Sequence, residues 1–305
     1  GLSEYLVGTL VVALASSTPE LLSSLSGITM ASSAIVFGTL FGSNFVGITL
    51  VLGVVAVIGK KVPMNEKVFE KTSGNMREKA GNKALDNLSD KTVIAENLNG
   101  IFKITLNRPK ALNCLNPQLI EELTETFKEA AVDKNIHVVI LQGSGHNFMA
   151  GGDIRFFKGL VDAPEGINVE SLNCIVAKAQ NLVREIYDLK KPVIASVEGV
   201  VAGYGLSLVA ACDFAIATDK CVFTTAYSNI GLTPDGGASF ILPRVLGLKK
   251  AKELMMLADQ FDSNEALEIG LLNKVVPAES LVHHVNKLAV RLQHSARHVM
   301  GNIKQ

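Results

Sequence analysis

PVIASVEGVVAGYGLSLVAACD, residues 192–213, opens as a short β-rich apolar run, turns at glycines, and continues as an apolar segment that reads as a helix. The first run is too short for a buried helix and is rich in β-branched residues, so it reads as a strand. The same unit recurs upstream. HVVILQG (137–143) is a short buried strand, and HNFMAGGDIRFF (146–157) is a glycine-bearing loop that opens another helix. A third loop, IGLTPDGGASF (230–240), again precedes a helical stretch. Repetition of strand, loop and helix predicts an α/β fold with parallel pairing.

Working outward, TVIAENLNGIFKITL (92–106) predicts a hairpin, because two β-rich runs flank Asn99-Gly100. Asn116 is placed to cap a helix with Pro117 at its first position. LIEELTETFKEAAV (119–132) then carries the 3.6-residue period, and VESLNCIVAKAQNLVREIYDL (169–189) predicts a long helix. No solenoid-type repeat is visible.

The 305 residues suffice for one large domain or two ordinary ones. With 29 basic and 29 acidic residues there is no bulk field to attract nucleic acid, so none is expected as a partner. Cys114, Cys174, Cys212 and Cys221 are widely spaced and lack CxxC spacing. They read as buried thiols in a reducing compartment rather than as disulfides or zinc ligands.

Residues 1–59 differ sharply from the rest, since their only charges are Glu4 and Glu20. Residues 35–59 contain no charge, against roughly 20 residues needed to cross a bilayer. A second apolar stretch, residues 5–30, precedes them, and the two predict a transmembrane-type helical hairpin. A cleavable signal would need a basic start and one short apolar core, and neither is present. The first residue is not Met, which suggests a chain that begins inside a longer frame. Pro19 and Glu20 interrupt the first helix, and a carboxylate at membrane depth is a functional hypothesis by default. ASSTPELLSS (15–24) followed by FGSNFVGITLVLG (41–53) resembles one alpha-repeat of the sodium/calcium (cation) exchanger family. The resemblance implies that Ser17, Glu20 and Asn44 match cation-coordinating positions, while Gly47 stands where the family usually has another Asn. Such sites need two inverted repeats and one is present, so the expectation is a membrane hairpin without transport of its own. Residues 60–91 are polar and of mixed charge and read as a linker. Lys60 and Lys61 favour a cytoplasmic position for that end, and so a cytoplasmic, membrane-tethered domain at 92–305.

In the first two loops glycines let the chain turn tightly, so that amide hydrogens at a helix start point into the adjoining space. Two such amides converging would make an oxyanion hole. The G-x-G-x-x-G phosphate fingerprint and a Walker lysine are both missing from these loops. LNRPKALNCLN (106–116), MAGGDI (149–154), KPVIASVEGVVAGYGLSLVAACD (191–213), FTTAYSNIGLTPDGG (223–237) and DSNEALEIGLLNKVV (262–276) together resemble the crotonase (enoyl-CoA hydratase/isomerase) superfamily over about residues 93–305. The resemblance implies a crotonase-like ββα spiral core, an acyl-CoA thioester substrate, no separate cofactor, and an enolate held by two main-chain amides. By position these belong to Gly152, after Ala150 and Gly151, and to Tyr204, between Gly203 and Gly205; side chains at the two donor positions are then free to vary.

Acid/base chemistry separates the branches. Hydratases of the family use two glutamates, and the corresponding positions hold Ser207 and Tyr227. Asp235 matches the acid/base position of the isomerase branches, and one carboxylate suffices to move a proton between two carbons. Its neighbours Ile230, Leu232 and Phe240 are expected to raise its pKa. Read locally, Asp235 could instead cap the following helix or serve the Pro-Asp-Gly-Gly turn. Tyr227 could hydrogen-bond substrate or Asp235. Asp153 is placed to cap the helix beginning at Ile154. His146 reads as a solvated loop residue, and His283 and His284, adjacent on a helix, make a poor metal pair, so no metal is expected in this domain. The resemblance also implies further helices after VRLQHSARHVMGNIKQ (290–305), which commonly cover the pocket and build a trimer or hexamer. The expectation is therefore an acyl-CoA isomerase whose C-terminal end is cut short, with a hydratase or another thioester reaction as the alternative and a cation antiporter fragment as the alternative of another class.

Overall fold

The computed structural model describes residues 91–161 and 168–304. The readings made for 1–90, including the apolar hairpin, the linker and the candidate cation ligands Ser17, Glu20 and Asn44, lie outside the described residues. Among the described residues no helix is long and apolar enough to cross a membrane.

Strand β1 (Val93–Leu98) and strand β2 (Ile101–Leu106) form the expected antiparallel hairpin. Asn99 and Gly100 both take positive φ, 54° and 91°, the backbone twist that a tight two-residue hairpin requires. Strand β3 (Val138–Gly143) and strand β4 (Val193–Val197) continue the sheet in parallel, followed by β6 (Phe214–Thr218) and β9 (Lys274–Val276). The six-stranded order is β1-β2-β3-β4-β6-β9. A second sheet of three short strands, β5 (Val200–Ala202), β7 (Val222–Thr224) and β8 (Phe261–Asp262), lies in the order β5-β7-β8.

Alternation along the central strands decides which side each residue serves. Val139, Leu141, Val193, Ala195, Val197, Ala215 and Ala217 face the larger core. Val138, Ile140, Ile194 and Ile216 face the other side, where Leu281, Val285 and Ala289 close over them. The larger core is filled by α1 (Pro117–Val132), α3 (Val169–Asp188) and α4 (Tyr204–Ala211); α2 (Ile154–Val161) precedes α3 in the chain. Helices α5 (Ala238–Leu246), α6 (Leu248–Leu257), α7 (Ser263–Glu268), α8 (Leu281–Gln293) and α9 (Arg297–Lys304) follow, with α8 carrying the second cluster. The cap on α1 is as expected: Asn116 Oδ1 accepts from Leu119 N–H at 2.9 Å, with Pro117 at the first position.

All four cysteines are free thiols. The expectation that they are buried needs correcting: Cys221 is buried, Cys114 and Cys212 are half-buried, and Cys174 on α3 is exposed. Its helix position falls outside the apolar stripe, a matter of angular phase that an apolar neighbourhood in sequence does not reveal.

Candidate active site

The first glycine loop is held by main-chain bonds on both sides of Gly152. Leu115 N–H donates to the Gly151 carbonyl at 2.8 Å, and Asp153 N–H donates to the Leu115 carbonyl at 2.9 Å. Alternate residues of an extended segment point their amides in opposite directions, so the N–H of Gly152 faces away from Leu115. One residue pair earlier, Ala202 N–H donates to Met149 O at 2.9 Å and Met149 N–H to Val200 O at 3.1 Å. The loop is thereby tied to the start of the second one.

Gly203, with φ 51°, follows β5 and precedes the first residue of α4. Its own N–H goes to Thr224 O at 3.0 Å, and no side chain caps the helix. The Tyr204 N–H is then one of the orphan donors at a helix start. Among the described residues neither the Gly152 nor the Tyr204 N–H donates to a protein acceptor. The two loops touch through glycine: a Cβ built on Gly203 would stand 3.6 Å from Gly151 Cα, and one on Gly151 only 3.2 Å from the Ala202 carbonyl oxygen. Ala150, beside them, packs against Val200 and Ala202.

Freedom of the side chain at 204 does not hold. Tyr204 is fully buried, and its hydroxyl donates to the Ala179 carbonyl on α3 at 2.6 Å. Its ring is so close to the third loop that a Cβ on Gly236 would fall 2.9 Å from Cδ2 and Cε2. Tertiary packing therefore uses a side chain that the main-chain chemistry does not need.

Asp235 comes to the same place. The phenol of Tyr227 donates a short hydrogen bond to its Oδ1, and Ser207 Oγ donates to its main-chain carbonyl at 3.1 Å. The carboxylate caps nothing: α5 begins with Gly237 at its N-terminus and no side-chain cap, and Ala238 N–H is taken by the Asp235 carbonyl instead. Burial pushes the Asp235 carboxyl up to about 6, and the Tyr227 hydrogen bond restrains that rise. The direction is the expected one, but the surroundings differ. Phe240 is 42% exposed, with Arg244 over its ring face at 3.5 Å and Tyr187 at its edge. Tyr204 and Tyr227 are both held well above the ordinary phenol range, first by burial and then by the Asp235 charge.

Asp153 is a cap and more. Its Oδ1 accepts from Arg155 N–H at 3.2 Å, while Oδ2 lies 2.8 Å from Arg108 Nη2. Arg108 also donates to the Cys114 carbonyl, next to Leu115. Sequence reasoning passed over this arginine, whose only signal is its place in LNRPK, 45 residues from its partner. Burial, with the Asp153 charge next, lifts the adjacent Cys114 thiol to about 11, so it is not a reactive thiolate. His146 is largely solvated and pairs with Glu198 at 3.0 Å. The rings of His283 and His284 meet edge to face 5.6 Å apart, and Lys274 Nζ sits 3.0 Å from His284 Nδ1. Among the described residues no cluster of His, Cys, Asp or Glu could hold a metal ion.

Glycine loops that follow parallel-paired strands, two main-chain amides without a protein acceptor and one half-buried carboxylate thus come together on one α/β core. Residues 96–305 match the enoyl-CoA hydratase/isomerase family, and the chain belongs to it. Residues 1–77 match the sodium/calcium exchanger protein family. The chain is 33% identical over 207 residues to a trans-2-decenoyl-[acyl-carrier-protein] isomerase of Streptococcus mutans, covering 68% of this chain and 78% of that protein. It is 36% identical over 209 residues to the 1,2-epoxyphenylacetyl-CoA isomerase of Escherichia coli K12, with 68% and 78% covered. A crotonyl-CoA hydratase of Syntrophomonas wolfei is 36% identical over 201 residues, with 66% and 75% covered. The crystal structure of an enoyl-CoA hydratase from Bacillus anthracis superposes with a TM-score of 0.66 at 29% identity, covering 70% of this chain and 81% of that one.

Proposed function

We propose that this protein is an acyl-CoA isomerase that moves a carbon–carbon double bond through a thioester enolate. Asp235 takes a proton from C2 of a 3-enoyl thioester, and the C2–H electron pair forms C1=C2 of a dienolate as the carbonyl pair moves onto oxygen. The carbonyl then re-forms, the C1=C2 pair moves to C2=C3, and the C3=C4 pair takes the proton back from the neutral acid at C4. Between the two transfers the negative charge rests on the thioester oxygen, within reach of the Gly152 and Tyr204 amides. Each such donor is typically worth about 10²–10³ in rate.

The observation that carries this reading is the setting of Asp235: a half-buried carboxylate that caps no helix and is held by the Tyr227 phenol, with burial pushing it up to about 6, where a group can both accept and return a proton at neutral pH. Supporting it, the hydratase-type carboxylate positions are filled by Ser207 and Tyr227, whose hydroxyls are engaged on Asp235. The test is the full chain with 3-enoyl-CoA, followed by the rise of conjugated enoyl-thioester absorbance. Turnover that survives in Asp235→Asn removes the assigned role.

A hydratase remains the second reading, favoured by the likeness to the crotonyl-CoA hydratase. Loss of 2-enoyl-CoA absorbance through water addition would select it. For residues 1–59 we infer a membrane tether for a cytoplasmic catalytic domain, supported by the exchanger match over residues 1–77. Recovery of the full chain in the soluble fraction after cell lysis would refute the tether.

A further inference from the structure

We propose that Tyr227 is a positioning residue that holds Oδ1 of Asp235, so that Oδ2 alone takes and returns the proton. The inference rests on the proton-shuttle reading above and deepens it.

Three features of the fold aim Tyr227 at this task. Ala226 adopts a left-handed conformation, φ 59°, which is strained for a residue with a Cβ and persists only where the surroundings impose it. The surroundings are visible: Thr224 Oγ1 donates to Ala258 O at 2.9 Å, and Thr225 Oγ1 to Leu254 O at 2.6 Å. Ala226 N–H closes onto Thr224 Oγ1 at 3.0 Å. Leaving β7 through this anchored bend, the chain turns the next side chain inward, and Tyr227 is only 7% exposed. Its main-chain carbonyl then accepts from Ile230 N–H at 3.1 Å and Leu232 N–H at 3.0 Å, which folds the loop back toward Asp235.

The ring lies between the two halves of the site. Its Cζ would be 3.7 Å from a Cβ on Gly203, immediately before the Tyr204 amide, while its hydroxyl reaches Asp235. Tyr227 therefore spans from the oxyanion loop to the acid/base. Among the described residues no side-chain donor reaches Oδ2. The titratable groups acting on or sensing this carboxyl are Tyr227 and, from α4, Tyr204. Neither is a cation, and burial keeps both phenols protonated through the working pH range. Tyr227 is thus a permanent donor: it can hold the carboxylate, and later the carboxylic acid through its carbonyl oxygen, without entering the proton transfer itself.

An isomerase with a single carboxylate must collect a proton from one carbon and deliver it to another two bonds away. A carboxyl free to rotate would present either oxygen at either moment. Anchoring one oxygen leaves the second poised over the substrate for both transfers.

Tyr227→Phe in the full chain tests this, with kcat/KM for 3-enoyl-CoA measured across pH. Loss of a hydrogen bond to the charged form should move the acidic limb up by about 1 pH unit. Misorientation should lower the plateau kcat on the order of 10-fold to 100-fold with KM little changed. A 13C titration of the Asp235 carboxyl in the same protein should move with the limb. Should Tyr227→Phe fail to fold, 3,5-difluorotyrosine placed at 227 donates a stronger hydrogen bond and should move the limb down. An unmoved limb and plateau in a folded variant, with Asp235→Asn inactive, overturn the positioning role and leave the shuttle standing. An active Asp235→Asn overturns both.

Discussion

Arg108 Nη2 lies 2.8 Å from Asp153 Oδ2, and Asp153 is the residue immediately after Gly152. With side chains only 18% and 10% exposed, the pair is mostly shielded from water, and it fixes the chain at the point where the first outward amide is presented. Arg108→Met would strip Asp153 Oδ2 of its partner and leave the carboxylate only the Arg155 N–H and the exposed Arg155 guanidinium, both on Oδ1. We expect a loss of about 2–3 kcal/mol in denaturant unfolding, near the lower end for a broken buried pair. A displaced Gly152 amide should also lower kcat by on the order of 10²-fold, since errors of about 1 Å in such geometry have that effect. Steady-state kinetics on folded variant reads the second effect separately.

Gly205 is packed against the first loop. A Cβ there would come within 2.4 Å of the Met149 carbonyl oxygen, a backbone atom that cannot step aside alone. Gly205→Ala should cost about 1–3 kcal/mol and push the Tyr204 amide out of line, with a fall in kcat. Gly159 on α2 has open space around its Cβ position, so Gly159→Ala should gain about 0.5–1 kcal/mol from helix propensity and leave turnover unchanged. Equal effects from the two substitutions, read by thermal unfolding and kinetics together, would contradict the packing argument.

Asp235→Asn should trade function for stability. The folded protein binds this proton more tightly than the unfolded chain, because the carboxyl is raised from 3.8 to about 6. Stability therefore falls as pH rises through that window and is flat above it. The full difference corresponds to roughly 3 kcal/mol, and partial exposure of the side chain reduces it, so a gain of about 1–3 kcal/mol is expected for the Asn variant at pH 7–8. Turnover should fall by about 10²–10⁴. Urea titrations at pH 4 and pH 8 provide the check: the gain should appear only at the higher pH.

The wild-type pH profile follows from the same group. Since the ionised carboxylate starts the reaction, kcat/KM should rise through a midpoint near 6 and then stay level to about pH 9, because the neighbouring phenols are held above 10. A midpoint near 4 would mean that substrate meets a solvated carboxylate, and the burial described for Asp235 would be wrong.

Much of this architecture was legible before any coordinates. The Asn99-Gly100 hairpin, the Asn116 cap, the parallel β3 and β4 and the three glycine loops all follow from rules that act within a few residues: turn chemistry, capping and hydrophobic period. Gly152, Tyr204 and Asp235 could be marked by motif position. Their surroundings could not. The pairing of β5 with β7 into a second sheet, the reach of Arg108 across 45 residues to Asp153, and the exposure of Cys174 depend on which apolar surfaces meet, and many partners satisfy the same local pattern.

For Asp235 the sequence determined a carboxylate in a proline–glycine turn, with a cap and a proton shuttle both open. Tertiary structure decided against the cap by bringing Tyr227 and Ser207 onto the half-buried Asp235 and giving the α5 amide to a main-chain carbonyl instead. The physical reason is one of range. Backbone conformation is set by neighbours in the chain, whereas burial, and with it the proton affinity of a carboxyl, is set by whatever the rest of the fold packs against it.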